Sequence, residues 1–214
     1  DAEKATWNSN VAEHEAAVDP HPQYKVTPTL DAPLSFTYTG TLAAAPTAYQ
    51  TAPMLPAPSG KEWVGWVSMA QIGTGVSGIT FPNLEGVVST FNPSNMAALT
   101  SLSLPAIERI GTNLASGDVI NISAAVGALT SFTLPATLKQ VGGTGGNVTI
   151  TSAALDQTSV DSILVRLAAL DGTNGTTAFN NRTVTITGTS AAPSATGLAA
   201  KATLVARGCN VTHK

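Results

Sequence analysis

The sequence predicts an α+β chain in three parts: an N-terminal helix over the first 25 residues with its junction, a small β-rich collar over 26–78, and a β/α solenoid over 79–214. Three observations carry this expectation. An Ala- and Glu-rich segment opens the chain, short alternating runs broken by prolines follow it, and an eight-residue pattern recurs 30 residues after its first appearance.

The 214 residues suffice for one or two domains with a sizeable core. Charged residues make up only 11% of the chain, against about 25% in ordinary domains, so Thr, Ser, Asn and Gln must carry its solubility. A net charge of −3 lacks the basic footprint that phosphate neutralisation demands, and no nucleic-acid partner is expected. A single cysteine, Cys209, excludes an intramolecular disulfide framework and a Cys-based zinc site. Val119 to Leu138 is apolar and about long enough to span a bilayer. Asn121, Gly127, Pro135 and its many hydroxyls read it instead as core, so no membrane partner is expected.

From Ala2 to about Val18 there is neither Gly nor Pro, and Pro20 stops the helix this predicts. Trp7, Val11, His14 and Val18 fall four, three and four residues apart, while Glu3, Glu13 and Glu15 lie off that line. A seam of two heptads is too thin to be buried against its own chain, and a helix this short is marginal alone. The expected partner is another copy, with these four residues as a trimer interface; the alternative is one amphipathic helix lying on the next domain.

Asp19-Pro20-His21-Pro22-Gln23-Tyr24 follows, and its alternating prolines force a stiff, extended backbone. A short helix with a histidine followed by this hexapeptide resembles a motif of tail fibres and related spike or fibre proteins of tailed bacteriophages. There it marks the passage from a trimeric stalk into the next module. The resemblance covers about residues 11–24 and implies a homotrimer in a virion, in contact with other virion proteins of the tail or capsid and with a host surface receptor.

In the collar, Leu34 to Thr39 and Trp63 to Met69 alternate in the manner of strands, and the Pro-rich stretch from Ala43 to Gly60 reads as a connector. The solenoid is announced by Leu99-Thr-Ser-Leu102-Ser-Leu104-Pro105-Ala106, which returns as Leu129-Thr-Ser-Phe132-Thr-Leu134-Pro135-Ala136. Each copy runs on to two hydrophobic residues and a glycine, Gly111 or Gly142, and Ile79 to Val87 is a weaker earlier copy. Such a period signals coils that can bury their apolar faces only by stacking. The pattern resembles leucine-rich repeats of the bacterial surface-antigen type, which form right-handed solenoids and serve in adhesion or recognition. It departs from them in having few copies and uneven spacing.

Beyond Gly146, the reading is a strand at Asn147 to Thr151, a helix from Thr158 to Leu170 capped by Thr158 or Ser159, and a strand at Thr183 to Thr187. A helix from Gly197 to Arg207 and a closing strand from Cys209 to His213 complete it. This layout is similar to the C-terminal part of repeat-bearing phage structural proteins.

Residues equipped for chemistry are few. Gly73-Thr-Gly75-Val-Ser-Gly78 matches a dinucleotide fingerprint but runs into a strand and Pro82 rather than a helix. Gly142 to Gly146 lacks the Lys of a phosphate loop. Asp156, Asp161 and Asp171 raise the question of a paired-carboxylate glycosidase, yet they sit at turn and helix-end positions, and from Asn92 onward Phe132 and Phe179 are the only aromatics to face a sugar. In a trimer His14 or His21 would repeat about one axis and could hold a metal or anion; the plainer reading is a solvated or hydrogen-bonded stalk histidine. The expectation is a non-enzymatic virion protein of the fibre type, with no catalytic residue, cofactor or metal. A head-surface fibre or capsid decoration protein and a bacterial surface adhesion module are the alternatives.

Overall fold

The computed structural model describes residues 37–40, 50–53 and 62–68 as backbone strands, and residues 76–214 apart from 82–83, 94–95, 113, 115 and 124–125. The expected stalk helix, its seam of Trp7, Val11, His14 and Val18, and the hexapeptide lie outside the described residues. So does most of the connector. Within it, however, β2 (Gln50–Pro53) pairs antiparallel with β3 (Glu62–Ser68). Pro53 is tolerated because, among the described residues, β2 pairs with β3 alone and no second neighbour demands its missing N–H.

From Val76 onward the chain winds in coils of three legs. The first legs are β4 (Val76–Thr80), β7 (Ser101–Ser103) and β10 (Ser131–Phe132), paired in parallel, with β1 (Thr37–Gly40) antiparallel against β4. The second legs are β5 (Leu84–Val87), β8 (Arg109–Ile110) and β11 (Gln140–Val141). The third are β6 (Phe91–Asn92), β9 (Asp118–Ile122), β12 (Asn147–Ile150), β13 (Thr183–Ile186) and β14 (Asn210–His213). β3 joins the last two series: its first half pairs with β5 and its second half with β6. The strands of the expected collar thus hydrogen-bond into the same two sheets as the coils.

The recurrence in sequence is the register in space. Ser101 lies opposite Ser131 and Leu102 opposite Phe132. The preceding turn repeats as well, with Leu99 N–H donating to Met96 O and Leu129 N–H to Val126 O, both at 3.0 Å. Alternation along each leg sends Leu99, Leu102, Leu104, Ile107 and Ile110 inward, all at most 2% exposed, and their counterparts of the next coil stack on them. The apolar column is continuous from Ile79 to Val211. Three rings run through it: Phe91 meets Phe81 edge-on at 6.5 Å and stacks on Phe132 at 6.4 Å. At the corner after the second leg, Gly111 (φ 72°) and Gly142 (φ 77°) take the same left-handed turn, and a Cβ on Gly111 would strike Val119.

After the third coil the first leg gives way to helices, α1 (Gln157–Ala169) and α2 (Ala195–Ala206). Both lie within a residue or two of the segments read from sequence. The cap of α1 is different from the expected Thr158 or Ser159: Asp156 is extended and accepts the Ser159 N–H at 2.7 Å. A carboxylate one turn earlier serves because Ser159 is engaged elsewhere. Its buried hydroxyl accepts the Phe132 N–H at 3.2 Å and donates to Thr130 O at 3.3 Å, standing in for the peptide group a fourth strand would have offered β10. One coil on, the Ser190 hydroxyl accepts Leu155 N–H at 3.2 Å and donates to Ala153 O at 3.1 Å.

Two stability tests follow from this packing. Phe132→Ala removes a fully buried ring from the centre of the column and should cost about 3–5 kcal/mol in urea unfolding; a loss under 1 kcal/mol would mean the column closes up around the gap. Ser190→Ala strands the buried Leu155 N–H, while Ala153 O keeps the Thr189 N–H at 3.3 Å, and should cost about 1–3 kcal/mol. A neutral result would show that water replaces the hydroxyl.

Candidate functional site

The three acids considered for catalysis are each committed to chain geometry. Asp156 caps α1. Asp161, in the second turn of α1, accepts the Ser194 N–H at 2.9 Å and the Ser194 hydroxyl at 2.5 Å, so it anchors the N-cap residue of α2. It lies so close to Gly197 that any Cβ there would collide with the carboxylate. Asp171 follows the C-terminal end of α1, about 20 Å from Asp156 by the rise of a 13-residue helix. Two acids that cut a glycoside must converge within about 10 Å on one groove. Asp156 and Asp171 do not.

Asp171 organises a tight loop. Its Oδ1 accepts the Thr173 N–H at 2.9 Å, the Thr173 hydroxyl at 2.7 Å and the Thr176 hydroxyl at 3.4 Å. Asn174 (φ 49°) and Gly175 (φ 76°) form the two left-handed central residues of the turn closed by Thr176 N–H to Thr173 O at 2.8 Å. The Thr173 hydroxyl, followed by the Thr173 N–H, holds the Asp171 carboxyl below its ordinary pKa.

The glycine segments have the wrong polarity or context for phosphate. Gly73 to Gly75 lie outside the described residues, and Gly78 sits in β4 with no helix after it. In the corner from Gly142 to Gly146 the backbone presents carbonyls to a cation: Arg182 donates to Val141 O and, at 2.9 Å, to Gly143 O. Phosphate cradles need converging N–H groups instead. Arg182 is 6% exposed, packs 4.9 Å over the Phe179 ring, and has an Nε without a partner. Burial lowers its pKa from the ordinary value. Sequence reasoning passed over Arg182; its one signal was a lone cation at the entry to a strand in a stretch free of acids after Asp171.

His14 and His21 lie outside the described residues, and His213 is part-exposed with Nδ1 2.5 Å from Lys214 O. Among the described residues no three His, Cys, Asp or Glu side chains gather as a metal site, and no helix is long and apolar enough to cross a membrane.

What the fold does offer is ordered surface. Asn121, Thr149, Thr185 and Thr212 stand side by side across four strands, and Asn147, Thr183 and Asn210 form a parallel row. All are part-exposed or exposed, on the side opposite the buried Val148, Ile150, Val184 and Ile186. Thr149 donates to Asp118 Oδ1 at 2.8 Å at the edge of the array. Such rows supply hydrogen-bond donors and acceptors, each worth about 0.5–1.5 kcal/mol net, and Asp118 stands opposite Asn147 in the second of them.

The Asp171 loop yields a pH test. A carboxyl whose folded pKa is depressed contributes stability that is present above the unfolded value and is lost as pH falls through the folded one. Wild type should therefore exceed Asp171→Asn in urea midpoint at neutral pH, and the gap should close on acidification below about pH 4. A gap that stays constant across that range would show that the loop is held without the charge. Comparisons with protein-family models, curated proteins and solved structures find no match for this chain.

Proposed function

We propose that this chain is a non-enzymatic, homotrimeric structural protein of a bacteriophage virion, of the fibre type. The observation that carries the reading is the hexapeptide from Asp19 to Tyr24 directly after a segment whose sequence predicts a helix with a heptad seam. In this scheme Trp7, Val11, His14 and Val18 gather three copies about one axis, and the hexapeptide turns the stalk into the following module. The leucine-rich-repeat-like coils form a presenting surface for a host receptor or a neighbouring virion protein. The polar rows on β9, β12, β13 and β14 support this role, because uncharged hydroxyls and amides give weak single contacts that three copies multiply.

A bacterial surface adhesion module is the second reading, favoured by the likeness of the repeat to the surface-antigen type. A head-surface fibre or capsid decoration protein shares the virion setting and differs only in position.

Sedimentation of the full chain at micromolar concentration is expected to give three times the 21.6 kDa chain mass, falling to one chain mass in the double variant Trp7→Ser, Val11→Ser. A monomeric wild type would sink the trimer. Imaging of intact particles labelled at Lys214 should then place the protein on tail or head, and unlabelled particles would favour the adhesion module.

A further inference from the structure

We draw no further inference here: the strongest candidate, the exposed stripe of Leu198, Ala202 and Val205 on the last helix, in the same coil as the end strand β14, carries nothing because nothing in the structure shows what covers it.

Discussion

A coil of this chain cannot satisfy its own backbone. Its legs are two to five residues long, too short to pair within themselves, so apart from the bonds that close its turns its N–H and C=O groups find their partners in the coil before or after it. The apolar side chains obey the same condition, because a leg has only one inward face and that face is closed by the next coil. Thr130 N–H to Thr100 O, Gly142 N–H to Ile110 O and Thr187 N–H to Ile150 O are successive instances at 3.0, 2.7 and 2.9 Å. Stacking is therefore the source of both the ladder and the core, and every departure from the regular coil has to be compensated locally.

The departures are where single side chains matter most. Replacing a first leg by a helix leaves β10 and the stretch after β12 with unpaired groups, and the hydroxyls of Ser159 and Ser190 fill them because a hydroxyl can both accept and donate. A glycine corner leaves carbonyls pointing inward, and Arg182 reaches across from the following coil to meet them. That solution buries a cation without a carboxylate among the described residues; the Phe179 ring and two carbonyl dipoles supply the stabilisation that an anion would otherwise give. Asp161 does similar work between helices, tying α2 to α1 through Ser194.

The legible part of the fold is the part governed by periodic apolar burial. Leu99 and Leu129, or Gly111 and Gly142, announce themselves because equal positions in successive coils need equal side chains. The pairing of Ser101 with Ser131 can be read from the 30-residue offset alone. Helix α1 was visible because Val160, Ile163, Leu164 and Leu167 keep a helical period. The compensating residues carry no such signal. Ser159 looks like a cap and is a surrogate peptide group, while the true cap Asp156 looks like a turn residue; only the position of β10 one coil away distinguishes the two roles. The strand at Gln50–Pro53 was hidden by its proline, which argues against a central strand and is silent about an edge. For the candidate surface, the alternation in Thr183 to Ile186 gave the outward threonines, but their alignment with Asn121, Thr149 and Thr212 depends on offsets of 28, 36 and 27 residues that no fixed repeat would supply.

The acids weighed for chemistry are each tied into the fold. Catalysis requires a group held in a reactive state near a place for substrate. Here the carboxylates of Asp156, Asp161 and Asp171 each accept hydrogen bonds that fix a helix end or a loop, and the buried guanidinium of Arg182 is turned toward backbone carbonyls. Freeing any of these groups for a reaction would undo the joint it holds. Side chains of the outward rows are engaged as well: Asn147 Oδ1 accepts the Thr183 N–H at 3.0 Å and Thr149 donates to Asp118 Oδ1 at 2.8 Å. In this stack of coils, then, Asp156, Asp161, Asp171 and Arg182 are held in place by the irregular coils they join. The hydroxyls and amides of the outward rows are laid out by the same stacking that forms the ladder, so which of them stand side by side is set by the register of β9, β12, β13 and β14.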